Sequence, residues 1–142
     1  MRRATRAALA TTAIAVLAFG GGAAAAAAPA IPVSNGQETT GAEGGAHGFF
    51  SYTIDGEQFC YTLEVEGLTA PTTAAHIHVA PRKVAGPIVV PLVVPAETTF
   101  ETSGCTTADA ALLAAIAENP RDYYVNVHTP TYPGGEVRGQ LK

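Results

Sequence analysis

The chain has 142 residues with 8 basic and 12 acidic side chains, 15 glycines, 10 prolines, two cysteines and no tryptophan. Arg2, Arg3 and Arg6 lie in what reads as a removable leader, so the remainder sets five cations against twelve carboxylates, a formal charge of −7. A chain of that sign has no overall electrostatic footprint for nucleic acid or an anionic membrane surface, and about 110 residues suffice for one domain with one core.

The first 30 residues have the order of a signal peptide. A basic start is followed by a short apolar run, Ala7–Phe19, and by small residues with Ala-x-Ala sites ending at Ala28 or Ala30. Gly20–Gly22 and the alanine tract dilute the run too soon for a membrane span, although an uncleaved anchor is the alternative. The protein is therefore expected to be exported, secreted and extracellular, with no membrane span after cleavage. Residues 31–48, rich in Gly, Thr and Glu, read as a flexible lead-in, with His47 a solvated loop residue. Residues 49–142 read as the folded domain.

Phe49–Ile54 and Gln58–Glu66 alternate as strands on either side of an Asp55-Gly56-Glu57 turn. In the second, Phe59, Tyr61, Leu63 and Val65 form one face and Cys60, Thr62, Glu64 and Glu66 the other. Ala75–Val79 follows as a strand with His76 and His78 on one face. Gly86–Val94 is apolar but holds Pro87 and Pro91, which confines it to a sheet edge or an irregular strand. Thr98–Thr102 is a short β-branched stretch. Thr106, with Asp109 three positions on, predicts a capped helix start, and Ala110–Glu118 continues it to the Asn119-Pro120 stop. Tyr123–His128 alternates Val125 and Val127 against Tyr124, Asn126 and His128. A turn over Thr129–Gly135 leads into a last strand with Val137 and Leu141 inward and Glu136, Arg138 and Gln140 outward. The sum is an all-β, antiparallel, Greek-key-like sandwich or barrel with one short helix. Two cysteines in an exported chain predict a Cys60–Cys105 disulfide across the outside of the sheet, with free thiols or an intermolecular bond as the alternatives.

His-Ile-His after Gly67-Leu68-Thr69, then Gly86–Leu92, then Tyr-Tyr-Val-Asn-Val-His-Thr and Gly-Gly-Glu-Val-Arg-Gly-Gln-Leu, resemble the CHRD domain, known from chordin and from single-domain secreted bacterial proteins. The resemblance runs from about Phe49 to Leu141. It implies a β-rich extracellular domain acting as a non-catalytic binding or structural module, its partner an extracellular protein or cell-surface component. A shorter likeness, in Gly-Leu-Thr, His-x-His and a late Val-x-Val-His, is to copper-zinc superoxide dismutases, whose copper sits on strand histidines outside a barrel. This chain has no histidine- and aspartate-bearing zinc loop between His78 and His128.

The residues themselves offer one chemical constellation. His76 and His78 share a strand face, and His128 ends another strand, so a three-imidazole site for copper or zinc is the alternative reading, conceivably for superoxide or copper handling. Asn126 and Arg138 on the same outer face would orient the rings or hold an anion nearby. Otherwise the histidines would be polar groups orienting the sheet, and Arg138 a surface partner of Glu136. No serine lies in a nucleophile-elbow context and no glycine-rich phosphate loop is present, so no catalytic residue is assigned.

Overall fold

The computed structural model describes residues 30–142, and the signal-peptide reading falls on residues 1–29, outside the described residues. Eight strands form one antiparallel sheet: β1 (Ile31–Ser34), β2 (His47–Asp55), β3 (Gln58–Glu66), β4 (Ala74–Val79), β5 (Ile88–Leu92), β6 (Phe100–Thr107), β7 (Tyr123–His128) and β8 (Val137–Gln140). Their order is β5-β4-β7-β8-β1-β2-β3-β6, so chain neighbours such as β3 and β4 lie far apart in the sheet. Among the described residues no helix is long and apolar enough to cross a membrane.

The sheet curls into a nearly closed barrel, with β5 and β6 on either side of the seam. Strand pairing does not close that seam. The Tyr61 hydroxyl does, donating to the Val93 carbonyl at 2.8 Å and accepting from the Val93 amide at 2.7 Å. Gly104 faces Tyr61 across β3 and β6, and a β-carbon there would lie 3.1 Å from the tyrosine oxygen. Backbone bonds from Leu68 to Thr98 and from Thr72 to Glu97 extend the closure. The interior is filled by the alternating apolar residues of the strands, among them Phe50, Phe59, Leu63, Ile77 and Val125. Removing that surface from water is the main stabilising term.

The segment read as a flexible lead-in is built into the barrel instead. β1 pairs with β2 over Ile31–Ser34 and touches β8 at Ser34, and it buries Ile31 and Val33. Its Ile-x-Val alternation is only one pair long, too short to stand out beside the Gly-rich sequence after it. β6 extends through Thr107, so Thr106 belongs to a strand and does not cap the helix. Helix α1 (Ala110–Glu118) is capped by Asp109, whose carboxylate accepts from the Ala111 and Leu112 amides, 3.0 Å each. The helix buries Leu113 and Ile116 in the barrel core. Cys60 and Cys105 are bonded across directly paired positions of β3 and β6, on the outward face.

Candidate functional site

β4, β7 and β8 lie side by side, and their outward residues form a polar layer. The register sets His76 beside Asn126 and Asn126 beside Arg138, with His78 beside Tyr124 and Tyr124 beside Gln140. Sequence alternation anticipates this face but places it in solvent. In the structure all six residues of β7 are buried, Tyr123, Val125 and Val127 in the core and Tyr124, Asn126 and His128 under three loops that fold over the sheet from outside. Glu38 reaches in to accept from the Asn126 side-chain amide. The 81–86 loop delivers three carbonyls, and the turn before β8 supplies that of Pro133.

The three histidines converge beneath these loops. One ring nitrogen from each of His76, His78 and His128 lies within 4.8 Å of the others, and the ring centroids are 4.9–5.6 Å apart. His78 Nδ1 lies 2.8 Å from the Gly86 carbonyl, and His128 Nδ1 lies 3.0 Å from that of Pro133. A carbonyl only accepts, so in both rings Nδ1 carries the proton and Nε2 presents a lone pair. The Nε2 of His78 is buried with no hydrogen-bond partner. The Nε2 of His128 accepts from His76 Nδ1 at 3.1 Å.

Burial lowers all three imidazole pKa values. His76 is held down to about 4, first by burial and then by the neighbouring His128 and His78 charges. His78 and His128 are lowered by burial, against an opposing contribution from their carbonyl bonds. At neutral pH the cluster is therefore three uncharged imidazoles. Neutral imidazoles with Nδ1–H tied to backbone carbonyls are the form in which histidine binds zinc or copper, the tied proton fixing ring orientation and tautomer. Metal–nitrogen bonds of about 2.0–2.1 Å put tetrahedral ligand atoms about 3.3 Å apart. The 3.1 Å between His76 Nδ1 and His128 Nε2 is close to that, and a ring nitrogen of His78 lies within 4.8 Å of the other two ligand atoms.

Asn126 and Arg138 sit on this face but bond to neither ring. Asn126 is bound to Glu38 and packed under Gly135, whose φ of +127° and 2.5 Å virtual β-carbon distance to the Asn126 amide admit no side chain. Arg138 is 1% exposed and donates to the carbonyls of Val84 and Pro81 and to Gln140 Oε1. Its guanidinium carbon lies 3.4 Å from the Tyr124 ring centroid, and Tyr124 stacks on His78. Arg138 thus supports the His78 ring through Tyr124, with its guanidinium bonded to backbone carbonyls and Gln140. It is no surface partner of Glu136. That carboxylate is 0% exposed and accepts from the Thr69 amide and the hydroxyls of Thr69 and Thr129. His47 is exposed as expected but belongs to β2 rather than a loop, 3.9 Å from Glu66.

The contacts of Glu38, Gly86 and Tyr124 at this site escape sequence reasoning, although alternation sets Tyr124 on the outer face. Glu38 lies in the stretch that composition assigns to the lead-in, and no local pattern marks it as buried. Burial raises its pKa to about 6, partly offset by the Thr39 amide, the Arg138 charge and the Asn126 bond.

The family model described as the CHRD domain matches residues 25–141. The chain belongs to the CHRD family. No curated protein and no solved structure gives a match. Membership fits the buried polar face: His-Ile-His, Tyr-Tyr-Val-Asn-Val-His and Gly-Gly-Glu-Val-Arg-Gly-Gln-Leu supply β4, β7 and β8, so the stretches that carry the CHRD resemblance build this layer.

Proposed function

We propose that this CHRD domain is an exported, non-catalytic binding module, and that the ligand of its histidine cluster is a transition-metal ion, copper or zinc. Export is supported by the leader pattern of the first 30 residues and by the Cys60–Cys105 bond, which persists in an oxidising compartment. The partner of the module is an extracellular protein or cell-surface component. Mass spectrometry of protein recovered outside the cell tests this half. The reading expects a chain starting near Pro29 or Ile31, 2 Da lighter than its dithiol form, whereas full-length protein retained inside the cell contradicts it.

One observation carries the metal reading: two of the three converging imidazoles have Nδ1 committed to backbone carbonyls, which leaves Nε2 as the ring atom with a lone pair. A purely structural histidine gains by satisfying both nitrogens, and His78 leaves one buried and unpaired. In metal-free protein a proton bridges His76 and His128, and a cation would take its place. Nitrogen donors select copper or zinc over calcium or magnesium, which prefer oxygen. Calorimetric titration with zinc should give one ion per chain. His128→Ala should weaken it by more than the 10- to 100-fold typical of losing a supporting residue, while His47→Ala should leave it unchanged. Equal affinity in all three proteins would refute the site and leave the histidines structural.

A further inference from the structure

We propose that the cleft bordered by the 81–84 turn, Arg121 and residues 140–142 is a binding site for an oxyanion group: the phosphate, sulfate or carboxylate of a ligand. The cleft is about 350 Å³ and is lined by Arg82, Arg121, Gln140, Leu141 and Lys142; a separate small cavity that shares Arg82 and Gln140 with it is bordered by Lys83 and Arg138. Arg82, Arg121 and Lys142 line the cleft and Lys83 and Arg138 lie beside it, so all five cations of the described residues are gathered here, although residues 30–142 carry twelve carboxylates and a formal charge of −7. Net charge therefore conceals a positive pole. None of the five is ion-paired, since the only such contact among the described residues is His47–Glu66. Glu38, the carboxylate whose charge acts on both Arg138 and Lys83, is turned inward on Asn126.

The backbone beneath the cations is fixed in advance. Arg138 holds the carbonyls of Pro81 and Val84, which bracket Arg82 and Lys83. Gln140 holds those of Ala80 and Arg121 with one amide. Lys83 has a φ of +62° and donates to Gly36, while the Arg82 and Arg121 side chains make no hydrogen bond. Two unengaged guanidinium forks beside an ammonium group suit bidentate recognition of an oxyanion. The site supplies a ligand chemistry for the binding-module reading, but it requires neither export nor metal.

The test uses metal-free protein at low ionic strength, titrated with inorganic pyrophosphate and separately with citrate, read by calorimetry and amide chemical shifts. Binding of either is expected, with shifts at residues 80–84, 121 and 140–142, and the preferred probe identifies phosphate-like or carboxylate chemistry. Arg82→Ala and Arg121→Ala, both at exposed positions, should each weaken binding about tenfold without lowering the melting temperature. His128→Ala, which leaves the 81–86 loop untouched, should bind the anion like the unmodified chain, which separates this site from the metal reading. Absence of binding by both anions, or binding unchanged in the Arg82→Ala/Arg121→Ala double variant, would overturn the proposal.

Discussion

Tyr61→Phe is the sharpest test of how the barrel closes. It removes one oxygen and leaves the ring, so packing against Phe50 and the space above Gly104 are kept. What disappears is a pair of bonds to one residue, 2.7 and 2.8 Å long, joining β3 to the end of β5 where no ladder pairing crosses the seam. At about 1 kcal/mol net per bond, the expected loss is about 2 kcal/mol. For a domain of this size that lowers the melting temperature by about 8 °C. Denaturant unfolding gives the stability difference and amide exchange locates it. Protection should fall first at Val93 and along β5, while the β2–β3 hairpin keeps its protection. A variant within about 0.5 kcal/mol of the parent, with β5 still protected, would show that the tyrosine bonds do not close the barrel.

Other perturbations have defined outcomes. Replacing Cys60 and Cys105 with alanine opens a link across 45 positions and should cost about 4 kcal/mol, read by denaturant unfolding; a loss below about 1 kcal/mol would mean that the ladder alone constrains β6. Glu136→Gln puts an amide NH2 against the Thr69 and Thr129 donors and should cost about 2–3 kcal/mol, with an unchanged melting temperature as the contrary result. Acidification should destabilise the metal-free domain. The folded-state histidine pKa values lie below the ordinary 6.5, so the unfolded chain takes up protons first, and stability falls as pH drops from 6.5 toward about 4. Glu38, raised to about 6, opposes this with a single proton, so melting curves should still show a net decline.

Much of this architecture is legible in the sequence because strand alternation is a local signal. The faces of β3, β4 and β7 follow from single-residue parity, and the prolines at 87 and 91 announce an edge strand. The His76–His78 pair on one face follows in the same way, while the disulfide is read from the chain having only two cysteines. What parity cannot give is the far side of the sheet. It separates Tyr124, Asn126 and His128 from the core valines, but whether that second face meets water depends on loops remote in sequence. Glu38, Gly86 and Pro133 bury it, and none carries a sign of doing so. Arg138 therefore looks like a surface cation when it is among the most buried side chains of the domain. Net charge misleads for a similar reason, since it cannot tell dispersed cations from three lining one cleft with two more beside it. Thr106 fits a capping pattern, yet Asp109 takes the cap because pairing of β6 with β3 extends to Thr107.

The central claim is that His76, His78 and His128 bind one metal ion together. X-ray absorption at the zinc edge, on protein loaded with one equivalent, tests it most directly. The account predicts three imidazole nitrogens at about 2.0 Å from the zinc, reduced to two in His78→Ala. A zinc shell made of oxygens alone, or a spectrum the same in His78→Ala as in the parent, would contradict it.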